Sequence, residues 1–322
     1  MPKSFLERYQ AGECEAVWED LVALGYGVRH ELYLADAQAV ARETMRRARQ
    51  NVETVIGRLE QLDYGFLDSY SSAHKNLDRL NQLEGMLQGT SLPKMAFGGG
   101  MMDAAQQFGM DPQAMMAKAM EQARERMATL LPKMIPKMNE MKDRAQRDVA
   151  KASKKPPLQD PAVFCPPGKD TAKLLAKVEK IAGGPMPLSL RAWYEEVGGV
   201  SLMGSHPTLN TEGQPCAPDP LVMFPLGVAL EMLGDQDGDG DGLFLDLSPD
   251  CLHKAETSGG GPYCMSVPDA VADGPLREEG HDTTLVAYLR LSFAWGGFPG
   301  WEGASDAPTK ELDFLREGLL PI

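Results

Sequence analysis

Apolar residues recur at helical spacing through the first ninety residues of the chain. Val17, Leu21 and Leu24 fall on one face of a predicted helix over 12–24. A longer helix is predicted from an N-cap at Asp36. Its apolar positions lie three, four or eight residues apart, at Val40, Ala48, Val52, Val55, Leu59 and Leu62. A third helix is predicted over 69–88, so we assign residues 1–90 to a small helical bundle.

Methionine dominates the next segment, residues 91–157. Of the 19 methionines in the chain, 11 lie between Met95 and Met141. Four of them recur every seven residues, at Met120, Met127, Met134 and Met141. This soft apolar stripe is typical of an adaptable partner-binding helix, but also of a helix packed on the bundle or of a connector. We favour a helix packed on the bundle, or a connector, over a partner-binding helix. The run KASKKPP at 151–157 ends the segment as a linker.

The pattern changes after residue 157 to short apolar runs separated by Gly, Pro and Asp clusters. Helices are predicted over 170–182, over 188–197, over 282–294 and over about 308–318. Strands are predicted at 200–202, 221–224, 243–247 and 262–267. Strands between flanking helices indicate an α+β fold rather than a repeating βαβ sheet. We therefore expect residues 158–322 to form a second domain that folds on its own.

Charge divides the chain at the same place. Residues 1–156 carry 22 Lys+Arg and 21 Asp+Glu, whereas residues 157–322 carry 10 and 25, a net charge of −15. An acidic domain repels nucleic acid and membrane surfaces and attracts basic proteins or cations. The arginines of the long predicted helix alternate with glutamates and have no aromatic stacking platform, which indicates a solvated face. We expect neither a nucleic-acid nor a membrane partner.

One short motif resembles a known family. The run PLSLRAWYEEVGGVSLMG at 187–204 is similar to the opening of a domain of the SUKH superfamily, which includes the Smi/Knr-like domains and many bacterial immunity proteins. The matching residues are Pro187, Leu190, Trp193, Tyr194, Gly198 and Gly199. The run GDGLFLDLSPD at 240–250 resembles the turn and strand that follow in the family. The resemblance covers about 165–300 and takes in nothing of residues 1–156.

The resemblance implies a role in the fold for this motif and a binding function for the domain. Gly198 and Gly199 end a helix and turn the chain into a strand, where positive φ is often needed. Trp193 and Tyr194 are placed one turn earlier to cover a core. Many members of the superfamily resemble antitoxins that occupy the surface of a toxin, often a nuclease. The net charge of −15 suits a basic partner of that kind.

An acidic turn, GDQDGDGDGLFLD, partly fits the calcium-loop pattern. The candidate ligands are Asp235, Asp237, Asp239, Asp241 and Asp246. Two features depart from the pattern: Asp246 reaches less far than the usual Glu, and a strand follows instead of a helix. We favour a solvated acidic turn, with weak calcium binding as the alternative. The first four aspartates are also our first candidates for the partner-binding face.

The aromatic run WGGFPGW supplies a second set of candidates for partner binding, at Trp295, Phe298 and Trp301. A core role is the alternative, which we favour. Catalytic motifs are lacking: the five histidines show no metal-ligand spacing, and no nucleophile elbow occurs. Five widely spaced cysteines without a CxxC pair, and an N-terminus unlike a signal peptide, predict reduced thiols in the cytoplasm.

The leading hypothesis is a non-enzymatic protein-binding module without a cofactor. Its acidic α+β domain would act as an immunity or antitoxin-like inhibitor of a basic toxin. One alternative is an intracellular scaffold or regulator that assembles through its helical half. Another is a calcium-dependent binding module.

Overall fold

The described residues of the computed structural model form an α+β fold. They are residues 3–67, 143, 163–209, 218–234, 243–255 and 260–322. The chain divides into two compact units, one made of residues 1–67 and 160–322 and the other of residues 68–159. The predicted helix over 69–88 and the methionine stripe lie outside the described residues. No helix of the described part is long and apolar enough to cross a membrane.

Three helices and a 3-10 turn make up the N-terminal part of the first unit. They are α1 (Phe5–Gln10), α2 (Cys14–Ala23), the 3-10 helix Gly25–Arg29 and α3 (Glu31–Gln61). Ser4 begins α1 with a capping box, because its hydroxyl accepts from the Glu7 amide while the Glu7 carboxylate accepts from the Ser4 amide. Helix α2 agrees closely with its prediction.

The predicted start of α3 at Asp36 is wrong. His30 caps the helix instead, and its ring Nδ1 accepts from the Leu32 amide at 3.3 Å. The Asp36 carboxylate accepts from the backbone amides of Phe5 at 2.6 Å and Leu6 at 3.2 Å, which lie at the start of α1. Asp36 therefore does stabilise a helix N-terminus, but that of a different helix.

The C-terminal part alternates short strands with helices. Its helices are α4 (Thr171–Ala182), α5 (Leu188–Glu196), α6 (Leu226–Gly234), α7 (Cys251–Lys254), α8 (Leu285–Ala294), the 3-10 helix Pro299–Trp301 and α9 (Thr309–Arg316). Its strands are β2 (Phe164–Cys165), β3 (Gly199–Ser201), β4 (Gly204–Ser205), β5 (Val222–Met223), β6 (Leu243–Ser248) and β7 (Tyr263–Val267). The four strands predicted from the sequence are present, with shifts of one or two residues.

Within the described residues, the strands pair antiparallel in three small sheets. The sheets run β2-β3-β5, β6-β7 and β1-β4, where β1 is Gly65–Phe66. The last pairing joins a strand that follows α3 to one in the C-terminal part. Close by, the Tyr64 hydroxyl donates to the Leu202 carbonyl at 2.8 Å.

The motif at 187–204 has the predicted helix, glycine corner and strand. Trp193 is fully buried, and its indole N–H donates to the Gly198 carbonyl at 2.6 Å. Gly198 has φ +90°. A Cβ there would overlap the Cys165 carbonyl oxygen of the adjacent strand β2, and one on Gly199 would overlap the Pro225 ring. Both glycines are needed for the close packing of this corner.

Gly198→Ala tests the role of the corner. We expect it to lower the free energy of unfolding by about 2–4 kcal/mol, because it adds a strained backbone conformation to a steric clash with β2. Gly168→Ala is the control, since a Cβ at Gly168 meets nothing within 4 Å. Urea unfolding of both variants measures the difference. Equal stabilities of the two variants would show that the corner tolerates a side chain.

The N-terminal helices and the C-terminal part share one continuous core. Helix α3 packs against α5 and α9. Polar contacts follow the same interface: Arg42 pairs with Glu195 at 3.4 Å, and Arg49 donates to the Glu196 carbonyl at 3.3 Å. This arrangement differs from the predicted division into residues 1–90, 91–157 and 158–322. The composition break near residue 157 marks a change in charge, whereas the apolar face of α3 finds its cover beyond that break.

Residues near 320 are held by the N-terminal helices. Asn51 of α3 is buried, and its side chain forms two hydrogen bonds with the Leu320 backbone, of 2.9 and 2.7 Å. Arg47 donates to the Pro321 carbonyl at 3.0 Å. Arg290 of α8 donates to the Ile322 carbonyl at 2.6 Å and to the Cys14 carbonyl at 3.0 Å. We call this contact the tail clamp.

Candidate functional site

An exposed group of carboxylates lies on two neighbouring loops, and we call it the acidic rim. It consists of Glu278 and Asp282 in the loop after β7 and Glu302 after the 3-10 helix Pro299–Trp301. Glu278 and Asp282 have positive φ, of 63° and 52°. Residues other than glycine rarely adopt this backbone conformation, so the loop stores backbone strain. Strained, exposed and charged loops are frequent at binding sites.

His281 joins the two loops of the rim. Its Nδ1 contacts the carboxylate of Glu279, which is buried, and its Nε2 lies 3.0 Å from the Glu302 carboxylate. The His281 amide also donates to Glu279 at 2.9 Å. An imidazolium donates from both nitrogens, so this bridge is complete only when His281 is protonated. The bridge fixes the Glu302 carboxylate relative to the loop that carries Glu278 and Asp282.

A buried ion pair lies inward from the rim. The Lys254 ammonium is 2.7 Å from the Asp219 carboxylate, and their side chains are 0% and 6% exposed. The Tyr263 hydroxyl donates to the same carboxylate at 3.2 Å, and the Lys254 ammonium lies 4.5 Å from the centre of the Tyr263 ring. Asp219 has φ +43°. These contacts attach residues 218–220 to α7 and β7.

Burial dominates the titration of this ion pair and its neighbours. It lowers the pKa of Lys254, although Asp219, Glu279 and Asp250 act in the opposite direction. Burial also raises the pKa of Tyr263 and of Tyr288, and the charge of Asp219 adds to both shifts. A lysine with a lowered pKa can serve as a base or nucleophile. The Lys254 ammonium is enclosed and already paired, so we assign it a structural role.

The aromatic run WGGFPGW belongs to the core, which corrects the hypothesis that it supplies partner-binding anchors. Phe298 and Trp301 are fully buried, and Trp295 is half-buried. Gly296 and Gly297 have φ of 61° and 95° and approach Leu315 and Leu202 too closely for any side chain of their own. The close packing at these glycines agrees with the core role that the sequence analysis favoured for the aromatic rings.

The calcium hypothesis concerns residues that are mostly outside the described part of the chain. Asp235, Asp237, Asp239 and Asp241 all fall there. Asp246 lies on β6 opposite Cys264, and partial burial raises its pKa. Among the described residues, no group of three or more His, Cys, Asp or Glu is arranged to hold a metal ion.

The cysteines differ from the expectation of five reduced thiols. Cys251 is disulfide-bonded, while Cys14, Cys165 and Cys264 are free. Burial raises the pKa of the Cys264 thiol to about 11, with a further contribution from Asp246. A thiol in this environment is a poor nucleophile at neutral pH.

Sequence reasoning missed an exposed apolar surface between α2 and α3. Its members are Val22, Tyr26, Leu32 and Tyr33, with exposures of 42%, 72%, 73% and 37%. We call it the apolar corner. The sequence does contain a sign of this surface: large apolar residues occur between 25 and 35, where the pattern predicted no helix to bury them. Comparisons with protein-family models, with curated proteins and with solved structures gave no match.

Proposed function

We propose that this protein is a protein-binding module that inhibits a basic partner, in the manner of an immunity protein acting on a toxin. The observation that carries the proposal is the acidic rim, two of whose carboxylates, Glu278 and Asp282, lie on a strained loop. Its three carboxylates are exposed, whereas Glu279 beneath them is buried. A fixed group of negative charges attracts and orients a positively charged protein surface.

The charge of the C-terminal half of the chain supports the same interpretation. Residues 157–322 contain 25 acidic and 10 basic residues. Arg277 lies next to the rim, and its guanidinium stacks over the Phe244 ring at 5.1 Å. The turn Asp235–Asp241 remains a proposed extension of the binding face. The resemblance to the SUKH superfamily supports an inhibitor rather than a scaffold, because that superfamily contains many immunity proteins.

The test begins with a partner captured from the native cell by the full-length chain and identified by mass spectrometry. We expect its association rate to fall by about tenfold or more as ionic strength rises from low to above-physiological values, because salt screens electrostatic steering. Surface plasmon resonance at several salt concentrations measures this dependence. An acidic partner, or an association rate indifferent to salt, contradicts the proposal.

A triple variant tests the rim itself. Glu278→Gln, Asp282→Asn and Glu302→Gln together should slow association with the captured partner while changing the melting temperature little. The matched control removes the same number of charges at other exposed sites, through Glu60→Gln, Glu231→Gln and Glu317→Gln. If the control slows association as much as the rim variant, net charge acts without a defined face.

A further inference from the structure

The apolar corner concentrates exposed apolar side chains in one short stretch. Seven large apolar residues of the described chain are exposed, and four of them lie within residues 22–33. Exposed apolar residues scattered singly are ordinary on protein surfaces, whereas four within twelve residues, on three elements that follow one another directly, favour an interaction site. Tyrosine is also among the residues most enriched in the energetic centres of protein interfaces.

Contacts with neighbouring elements hold the apolar corner in a defined shape. The 3-10 helix Gly25–Arg29 packs against both α2 and α3. Arg29 anchors it to the C-terminal part, because its guanidinium donates to the carbonyls of Met186 at 2.6 Å and Ala270 at 3.1 Å. The ring of Tyr33 lies 6.3 Å from that of Phe5 and 6.4 Å from that of His30. A preorganised apolar surface loses little entropy when a partner binds.

The charge around the corner is negative. Residues 13–33 contain five acidic residues and a single basic one, Arg29. Arg8 pairs with Glu13 at 2.9 Å and with Asp20 at 2.6 Å, and the guanidinium of Arg29 is occupied by backbone carbonyls. The other three acidic residues are exposed and form no ion pair within the described part of the chain, namely Glu15, Glu19 and Glu31.

From these observations we propose that the apolar corner is a docking surface for an amphipathic basic segment of a partner protein. Apolar side chains of the segment cover Tyr26 and Leu32, and its Lys or Arg side chains face Glu19 and Glu31. The inference rests on the proposed function and adds a second binding surface to the acidic rim. The acidic rim steers a basic partner toward the molecule, and the corner supplies apolar contact area, on which affinity depends more strongly.

The test uses a synthetic helical peptide with leucines on one face and lysines on the other. A peptide of the same composition with scrambled order is its control. We expect the amphipathic peptide to bind the full-length protein at least about tenfold more tightly than the scrambled one, because only the ordered peptide presents apolar and basic faces together. Fluorescence anisotropy measures both affinities.

Substitutions locate the site. Tyr26→Ser with Leu32→Ser should weaken binding of the amphipathic peptide by about tenfold or more. The matched control, Ile181→Ser with Val228→Ser, removes two apolar residues that are each 42% exposed elsewhere. It should leave the affinity unchanged within about twofold, since it leaves the corner intact. Equal affinities of the corner variant and the control variant overturn the inference, as does equal binding of the two peptides.

Two further outcomes identify a different occupant and also overturn the inference. In one, sedimentation shows a dimer of the full-length protein that the corner variant abolishes, so that a second copy covers the corner. In the other, a photo-crosslinker at position 26 reacts with the chain's own methionine-rich segment. Failure of the proposed function is separate, because it is judged by the salt and rim dependence of the captured partner and not by the peptide.

Discussion

Residues 160–322 expressed alone are expected to show no cooperative unfolding transition. Their core is completed by α3, several of whose apolar side chains are fully buried in the whole chain, including Val40, Val52, Val55 and Leu59. Burial of one such side chain contributes about 1.5–3 kcal/mol. For these four side chains the loss is about 6–12 kcal/mol, which is comparable to the total stability of a typical domain, about 5–15 kcal/mol. Circular dichroism melting and binding of an apolar dye measure the result.

Two further proteins make this test specific. Adding residues 1–67 by co-expression should restore the transition, because they return α3, β1 and the contact between Tyr64 and Leu202. A chain in which a flexible Gly/Ser linker replaces residues 68–159 should also unfold cooperatively, since those residues belong to the other compact unit. Cooperative unfolding of residues 160–322 alone would restore the division predicted from composition.

Lys254→Met should lower the free energy of unfolding by about 3–5 kcal/mol. The substitution keeps an unbranched side chain only one atom shorter but leaves the Asp219 carboxylate buried without its cation, and an uncompensated buried charge is strongly destabilising. Urea unfolding at neutral pH measures the loss. This loss of about 3–5 kcal/mol is the effect of removing Lys254 alone, and it is not the net contribution of the Lys254–Asp219 ion pair to stability.

The double variant Lys254→Met with Asp219→Asn is the control for that prediction. It removes both charges, and asparagine still tolerates the positive φ of position 219. Most of the lost stability should return, since a neutral replacement of a buried ion pair is often close to neutral in free energy. If the double variant is as unstable as Lys254→Met, packing around Lys254 matters and the ion pair does not.

Local patterns predicted local structure well. The helix, glycine corner and strand at 187–204 depend on residues close in sequence, and their geometry matches the prediction. Strand β6 was predicted from its apolar run for the same reason. The fold class also follows from such short-range patterns, because each element needs only its own periodicity to be recognised.

Features that depend on a distant partner were predicted less well. Asp36 has the chemistry of an N-cap, but its carboxylate binds the start of α1, about thirty residues away. The aromatic run WGGFPGW was a candidate interface for which a core role was favoured, and the close approach of its glycines to Leu202 and Leu315 agrees with the core role. The acidic rim depends on a contact between His281 and Glu302 that no local pattern encodes. Long-range packing decided each of these cases.

The tail clamp has a consequence for the order of events during synthesis. Asn51 and Leu320 are 269 residues apart in sequence. At about 5–20 residues per second, a ribosome needs roughly 13–54 s to make the residues between them. Throughout this interval the backbone groups near residue 320 that bond Asn51 and Arg47 do not yet exist, so this side of α3 stays open to other proteins even after α5 has been made. A nascent chain of this kind is a natural client for chaperones that act at the ribosome exit.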